Sequence, residues 1–210
     1  MNTINLVSIC SISTNTTTSD GGADEEDDDA YRERIHESPE RFSTAGPTGA
    51  YEYWAKSANS SIIDVTVYSP SAGVVEIRPL LTGGTIPEQE LLDAVASILN
   101  QEKVRPLTDQ VQVKAPEAVS YDITLTYYID QGTSESTVQE AVSAAIDSYK
   151  LWQSKKIGRD INPSRLIADV MAVAGVKRVV VTSPTFTELT NVQVAQAGTV
   201  TASLGGSEDE

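Results

Sequence analysis

Cysteine and histidine are almost absent from this chain. The single Cys10 leaves no intrachain disulfide to form. The single His36, in a charged stretch beside Glu37, leaves little from which to build a Ser–His–Asp triad or a His-based metal site. Aromatic residues are scarce, at 6%, so the core has to rest on Val, Ile, Leu and Ala. No apolar run reaches the roughly 18 residues that a membrane-spanning helix needs. Positive charge is in deficit, with 15 Lys and Arg against 30 Asp and Glu. A net charge of −15 argues against an electrostatic grip on nucleic acid, which requires a cationic face.

The opening MNTINLVSIC places a cysteine after a short apolar run. It is not expected to be a lipoprotein signal. No Lys or Arg precedes the run, the run is too short, and Ile9 stands where a small residue is needed.

What the chain does have is length for one large domain or two small ones, at 210 residues. It also has two acidic blocks, at 24–29 and 208–210. Setting these aside leaves 21 acidic against 15 basic residues, so the body is only mildly acidic.

The pattern divides the chain into five stretches. Residues 1–25 are Ser, Thr, Asn and Gly rich, a loop in which Ile4 and Leu6 could start an edge strand. Residues 26–60 form a helical arm of two helices. The first is capped by Asp27–Asp29 and stopped by Ser38-Pro39; the second opens at Pro47. Residues 61–130 form a first α+β unit. Ile63, Val65 and Val67 alternate with polar positions, a turn at 69–73 makes a hairpin with 74–81, and a helix follows at 87–103. Leu91, Leu92, Val95, Ile98 and Leu99 stripe that helix. Strands are expected at 110–114 and 120–129. Residues 131–204 form a second unit, with helices at 134–156 and from Asn162-Pro163 to Gly175. Strands follow at 176–182 and 191–203, the latter interrupted at Gly198. Residues 205–210 are an acidic tail. The sum is an α+β fold: a mixed, mostly antiparallel sheet packed with helices, plus an N-terminal helical arm.

No reaction centre emerges. The acidic run 24–29 lacks calcium-loop spacing, and consecutive carboxylates on a helix point apart. Gly83-Gly84-Thr85 has neither the Lys-Ser/Thr sequel nor the Gly-x-Gly-x-x-Gly spacing of a phosphate loop. An enzyme working through carboxylates such as Asp109 and Asp122 would need a pair at defined separation, which the sequence does not display. No catalytic, cofactor-binding or metal residues are assigned. The aromatic set Tyr51, Tyr53, Trp54 fits either core packing or a protein interface, where such rings are enriched. Arg105 fits a buried or interface contact. Candidate interface residues are Tyr31, Arg32, Arg34, Phe42, Tyr51, Tyr53, Trp54 and Arg105.

Several segments together resemble the baseplate J-like family of contractile phage tails and phage-derived tailocins. They are GGADEEDDDAYRERI, SPERFSTAGPTGAYEYWAKSA, DVTVYSPSAGVVEIRPLLTGG, VRPLTDQVQVKAP and VSYDITLTYYI, in that order. The resemblance implies a non-enzymatic structural part of the baseplate wedge, with no cofactor. It implies two copies of this protein joined to a second wedge protein, six wedges closing a ring, and contacts with hub, sheath-initiating and tail-fibre proteins. It places the protein in a virion or tailocin particle assembled in the bacterial cytoplasm, coupling fibre binding to sheath contraction. Relatives carry a substantial region before the acidic segment, where this sequence has about 20 residues; a short version or a fragment is expected. The alternative is a non-enzymatic binding or adhesive module of another extracellular assembly.

Overall fold

A computed structural model of the chain describes residues 28–37, 48–101 and 104–209. Helices α1 (Asp28–Glu37) and α2 (Thr48–Ala58) come first. Asp27, Pro47 and the edge strand expected near the N-terminus lie outside the described residues.

The first unit contains β1 (Ile62–Ser71), β2 (Val74–Leu81), α3 (Gln89–Leu99) and β3 (Gln110–Val113). Its sheet runs β1-β2-β3, with β1 antiparallel and β3 parallel to β2. The second contains β4 (Glu117–Asp130), α4 (Glu135–Ser154), α5 (Pro163–Met171), β5 (Val176–Ser183) and β6 (Gln193–Glu208). Its sheet runs β5-β4-β6, with β5 antiparallel and β6 parallel to β4. The fold is α+β, and each of its two mixed sheets has one antiparallel and one parallel pairing.

Each sheet buries one apolar side under helices. On β4, Tyr121, Ile123, Leu125, Tyr127 and Ile129 alternate inward and meet Val142, Ile146 and Tyr149 of α4 and Leu166 and Val170 of α5. Asn162 caps α5 by accepting from the Ser164 N–H at 2.9 Å, with Pro163 opening the helix. In the first unit Ile77 of β2 packs with Val95 and Leu99 of α3 and with Tyr51 and Ala55 of α2.

Four expectations change. The two helices at 26–60 do not form one arm, because α2 buries Ala50, Tyr51, Tyr53 and Ala55. The strand at 117–130 belongs with the second sheet, since it hydrogen-bonds to β5 and β6, so the units divide near residue 115. The turn expected at 69–73 shrinks to Ala72-Gly73. Ser69 and Pro70 lie in a bulge of β1, where the Ser69 hydroxyl contacts the Ser71 and Val74 carbonyl oxygens at 2.8 Å each. The residues expected as an acidic tail include Glu208, which is the last residue of β6 and pairs with Arg178.

The units meet along a seam. Leu80, Ile157 and Val194 form a small buried cluster with Ile86 against it. Around it, Gln196 Nε2 donates to the Gly84 carbonyl at 2.6 Å, and Asp64 Oδ2 accepts from the Ile157 N–H at 2.8 Å. Gly84 lies so close to α4 that a Cβ there would be 2.4 Å from Ser154 Cβ.

Candidate protein interface

Asp28 and Arg32 are one helical turn apart on α1 and form an ion pair at 3.4 Å. Tyr31 and Ile35 have the same spacing, and with Asp28 and Arg32 they fall at i, i+3, i+4 and i+7 on one face. Every α1 side chain described, those of Asp28, Tyr31, Arg32, Ile35 and His36, is exposed. Tyr31 and Ile35 are 48% and 52% exposed. Arg34 lies on α1, but its side chain is outside the described residues, as is Phe42.

The aromatic set on α2 occupies different ground. Tyr51 and Tyr53 are buried, while Trp54 is half-buried against the first core and edge-on to Tyr53 at 5.5 Å between centroids. The Tyr51 hydroxyl donates to Asp109 Oδ2 at 2.8 Å, and Arg105 donates to the Asp109 carbonyl oxygen at 2.8 Å. Asp109 thus draws Tyr51 and Arg105 together at the crossing from α3 to β3. Burial first, and the Asp109 carboxylate second, push the Tyr51 pKa upward.

A buried ionic knot sits on β2. Glu76 is 3% exposed and Arg78 is 7% exposed. Glu76 accepts from Tyr68 at 2.5 Å, from Arg78 Nε at 2.8 Å and from Lys114 Nζ at 2.5 Å. Burial pushes the Glu76 pKa up, and the hydrogen bonds from Lys114, Tyr68 and Arg78 overcome that and hold it at about 2. Arg78 also donates to the Ala115 carbonyl at 2.6 Å, at the junction of the units. The only signal in the sequence is the spacing of Glu76 and Arg78, two apart on one strand face. These contacts tie β2 to Tyr68 of β1 and to Lys114 just past β3, bracing the first sheet.

A groove of about 300 Å³ lies between α4 and β6, with Tyr127, Val142, Ile146, Val200 and Ala202 on its apolar side. Asp147 and Lys150 on its polar rim pair with each other at 3.0 Å. Among the described residues no cluster of His, Cys, Asp and Glu could hold a metal ion, and no helix is long and apolar enough to cross a membrane.

Known proteins fall on the same division of the chain. Residues 43–115 match the Baseplate J-like central domain, and residues 121–203 match the Baseplate J-like protein C-terminal domain. Baseplate protein J of Escherichia phage P2 is 33% identical over 181 residues, which are 86% of this chain and 59% of that protein. The chain therefore spans less than two thirds of that relative's length. A chain from the cryo-EM structure of the anti-feeding prophage (AFP) baseplate, 6-fold symmetrised, superposes with a TM-score of 0.56 at 17% identity, covering 82% of this chain and 42% of that one. That likeness is one of fold. Since one J-like domain falls on each of the two α+β units, in chain order, the chain belongs to the baseplate J-like family.

Proposed function

We propose that the protein is a non-enzymatic structural component of a contractile-tail baseplate. Two copies join a second wedge protein, and six wedges close a ring around the hub. The ring meets sheath-initiating and tail-fibre proteins and couples fibre binding to sheath contraction in a virion or tailocin particle. The observation that carries this reading is the pair of J-like domains spanning both units, supported by the 33% identity to a phage baseplate protein.

The exposed face of α1 fits the docking part of that role. Tyr31 and Ile35 offer apolar area, Arg32 offers a charge, and Arg34 and Phe42 are the neighbouring candidates. Contacts of modest individual strength gain from ring closure, because each further contact is made at high effective concentration. Contraction then requires two ring packings of similar free energy, with fibre engagement favouring one.

The test is co-expression with the second wedge protein and analytical ultracentrifugation at tens of micromolar (roughly the range of modest affinities). A two-to-one complex is expected. Tyr31→Glu with Ile35→Glu should abolish it while leaving the unfolding midpoint unchanged. Particles that assemble and contract normally without this chain would overturn the assignment.

A further inference from the structure

We propose that β6 is a self-pairing edge: two copies of this chain join β6 to β6 antiparallel and extend the second sheet from three strands to six. The inference is independent of α1 and of the baseplate reading.

The exposure pattern is the first observation. On β4 buried and open positions alternate, as they must when one sheet face is covered. On β6 six successive residues, Gly198 to Ser203, are all exposed. Two of them, Val200 and Ala202, face α4. Val200 and Ala202 line the groove, yet both are open and Val200 is 39% exposed. An inward side chain stays uncovered when the next strand along is missing, and among the described residues none pairs with the outer edge of β6.

The second observation is chemical. Unpaired edges are normally guarded by brevity, proline or charge. Here β1 carries Asp64 and Pro70, β3 is four residues long with Lys114 beside it, and β5 carries Lys177 and Arg178 with Pro184 just after it. From Gln193 to Ser207, β6 carries no charge and no proline. In a chain of net charge −15 this is a surface on which two copies meet without like charges opposed.

The third observation fixes the register. Bulges interrupt β6 between Ala197 and Val200 and again between Leu204 and Gly206, leaving Val200 to Leu204 regular. That run is symmetric about Ala202. A two-fold axis there sets Ala202 opposite its copy, Thr201 opposite Ser203, and Val200 opposite Leu204. Inward residues stay inward, so the Val200–Leu204 pairs lie over the groove of each copy. An isologous pairing also closes on itself and stops at two.

The test uses the full chain with Cys10→Ser as background. Ala202→Cys should form an intermolecular disulfide with itself under mild oxidation, and a mixture of Thr201→Cys and Ser203→Cys should give a mixed disulfide. Val180→Cys, exposed on the opposite edge, should not. Thr201→Lys with Ser203→Lys should weaken the dimer at least tenfold in sedimentation equilibrium, with circular dichroism unchanged. The proposal fails if the parent chain stays monomeric at about 100 μM. It also fails if neither cysteine arm exceeds Val180→Cys, or if the lysine variant dimerises as the parent does.

Discussion

Asp64, on the first strand of the first unit, accepts a hydrogen bond from the backbone N–H of Ile157, just past the last helical turn of α4, at 2.8 Å. The two residues are 93 positions apart. Asp64→Ala orphans that N–H beside a buried apolar cluster. The expected loss is about 1–3 kcal/mol, the range for leaving a buried donor without its partner. Urea unfolding measures it, and a change below 0.3 kcal/mol, roughly the experimental error, would mean water replaces the carboxylate.

Glu76 sets the acid limit. Its folded pKa of about 2 is depressed below the ordinary 4.5. Its contribution is therefore fully present above pH 4.5 and is lost as the pH falls toward 2. The loss is on the order of 3 kcal/mol. Glu76→Gln should flatten that part of the stability profile. Glu76→Ala should cost more, about 3–5 kcal/mol at neutral pH, because Arg78 stays buried without its partner. Denaturant titrations from pH 2.5 to 7 separate these outcomes.

Gly83 and Gly84 make an internal comparison. Both have positive φ, +74° and +76°. A Cβ on Gly83 meets nothing within 4 Å, whereas one on Gly84 would run into the Ser154 Cβ. Gly83→Ala should cost about 1–2 kcal/mol from backbone strain alone. Gly84→Ala should add about 1–3 kcal/mol of overpacking. Equal effects in thermal unfolding would mean that α4 does not hold its place against this turn.

Two tyrosines should respond oppositely to losing a hydroxyl. Tyr51→Phe breaks the 2.8 Å bond to Asp109 and should cost about 1 kcal/mol. The Tyr121 hydroxyl is buried with no partner among the described residues. Tyr121→Phe should therefore be neutral or stabilising by up to about 1 kcal/mol. Chemical denaturation of the two variants side by side decides.

Most elements were legible because their signals are local. Alternation marked β4, the apolar stripe marked α4, and Asn162-Pro163 marked the start of α5. What failed depended on distant partners. Residues up to 103 look helical, but α3 stops at Leu99, where Asn100 turns its side-chain amide onto the Ala96 carbonyl at 2.8 Å. Gly198 suggests a break in β6, yet the strand continues because Asp122, 77 residues earlier, accepts from the Thr199 N–H and closes a bulge. Tyr51 and Trp54 read equally as core or interface; only the position of Ile77 and Leu99 decides that Tyr51 turns inward. The β2 knot and the open edge of β6 required the strand order itself, which no local pattern encodes.

The close approach of Gly84 to Ser154 also has a mechanical meaning. It pins one end of α4, a 20-residue helix that at about 1.5 Å per residue is roughly 30 Å long. Val138, Val142, Ile146 and Tyr149 are packed into the second core along that length, so the turn at Gly84 is braced against a whole layer and not against one residue.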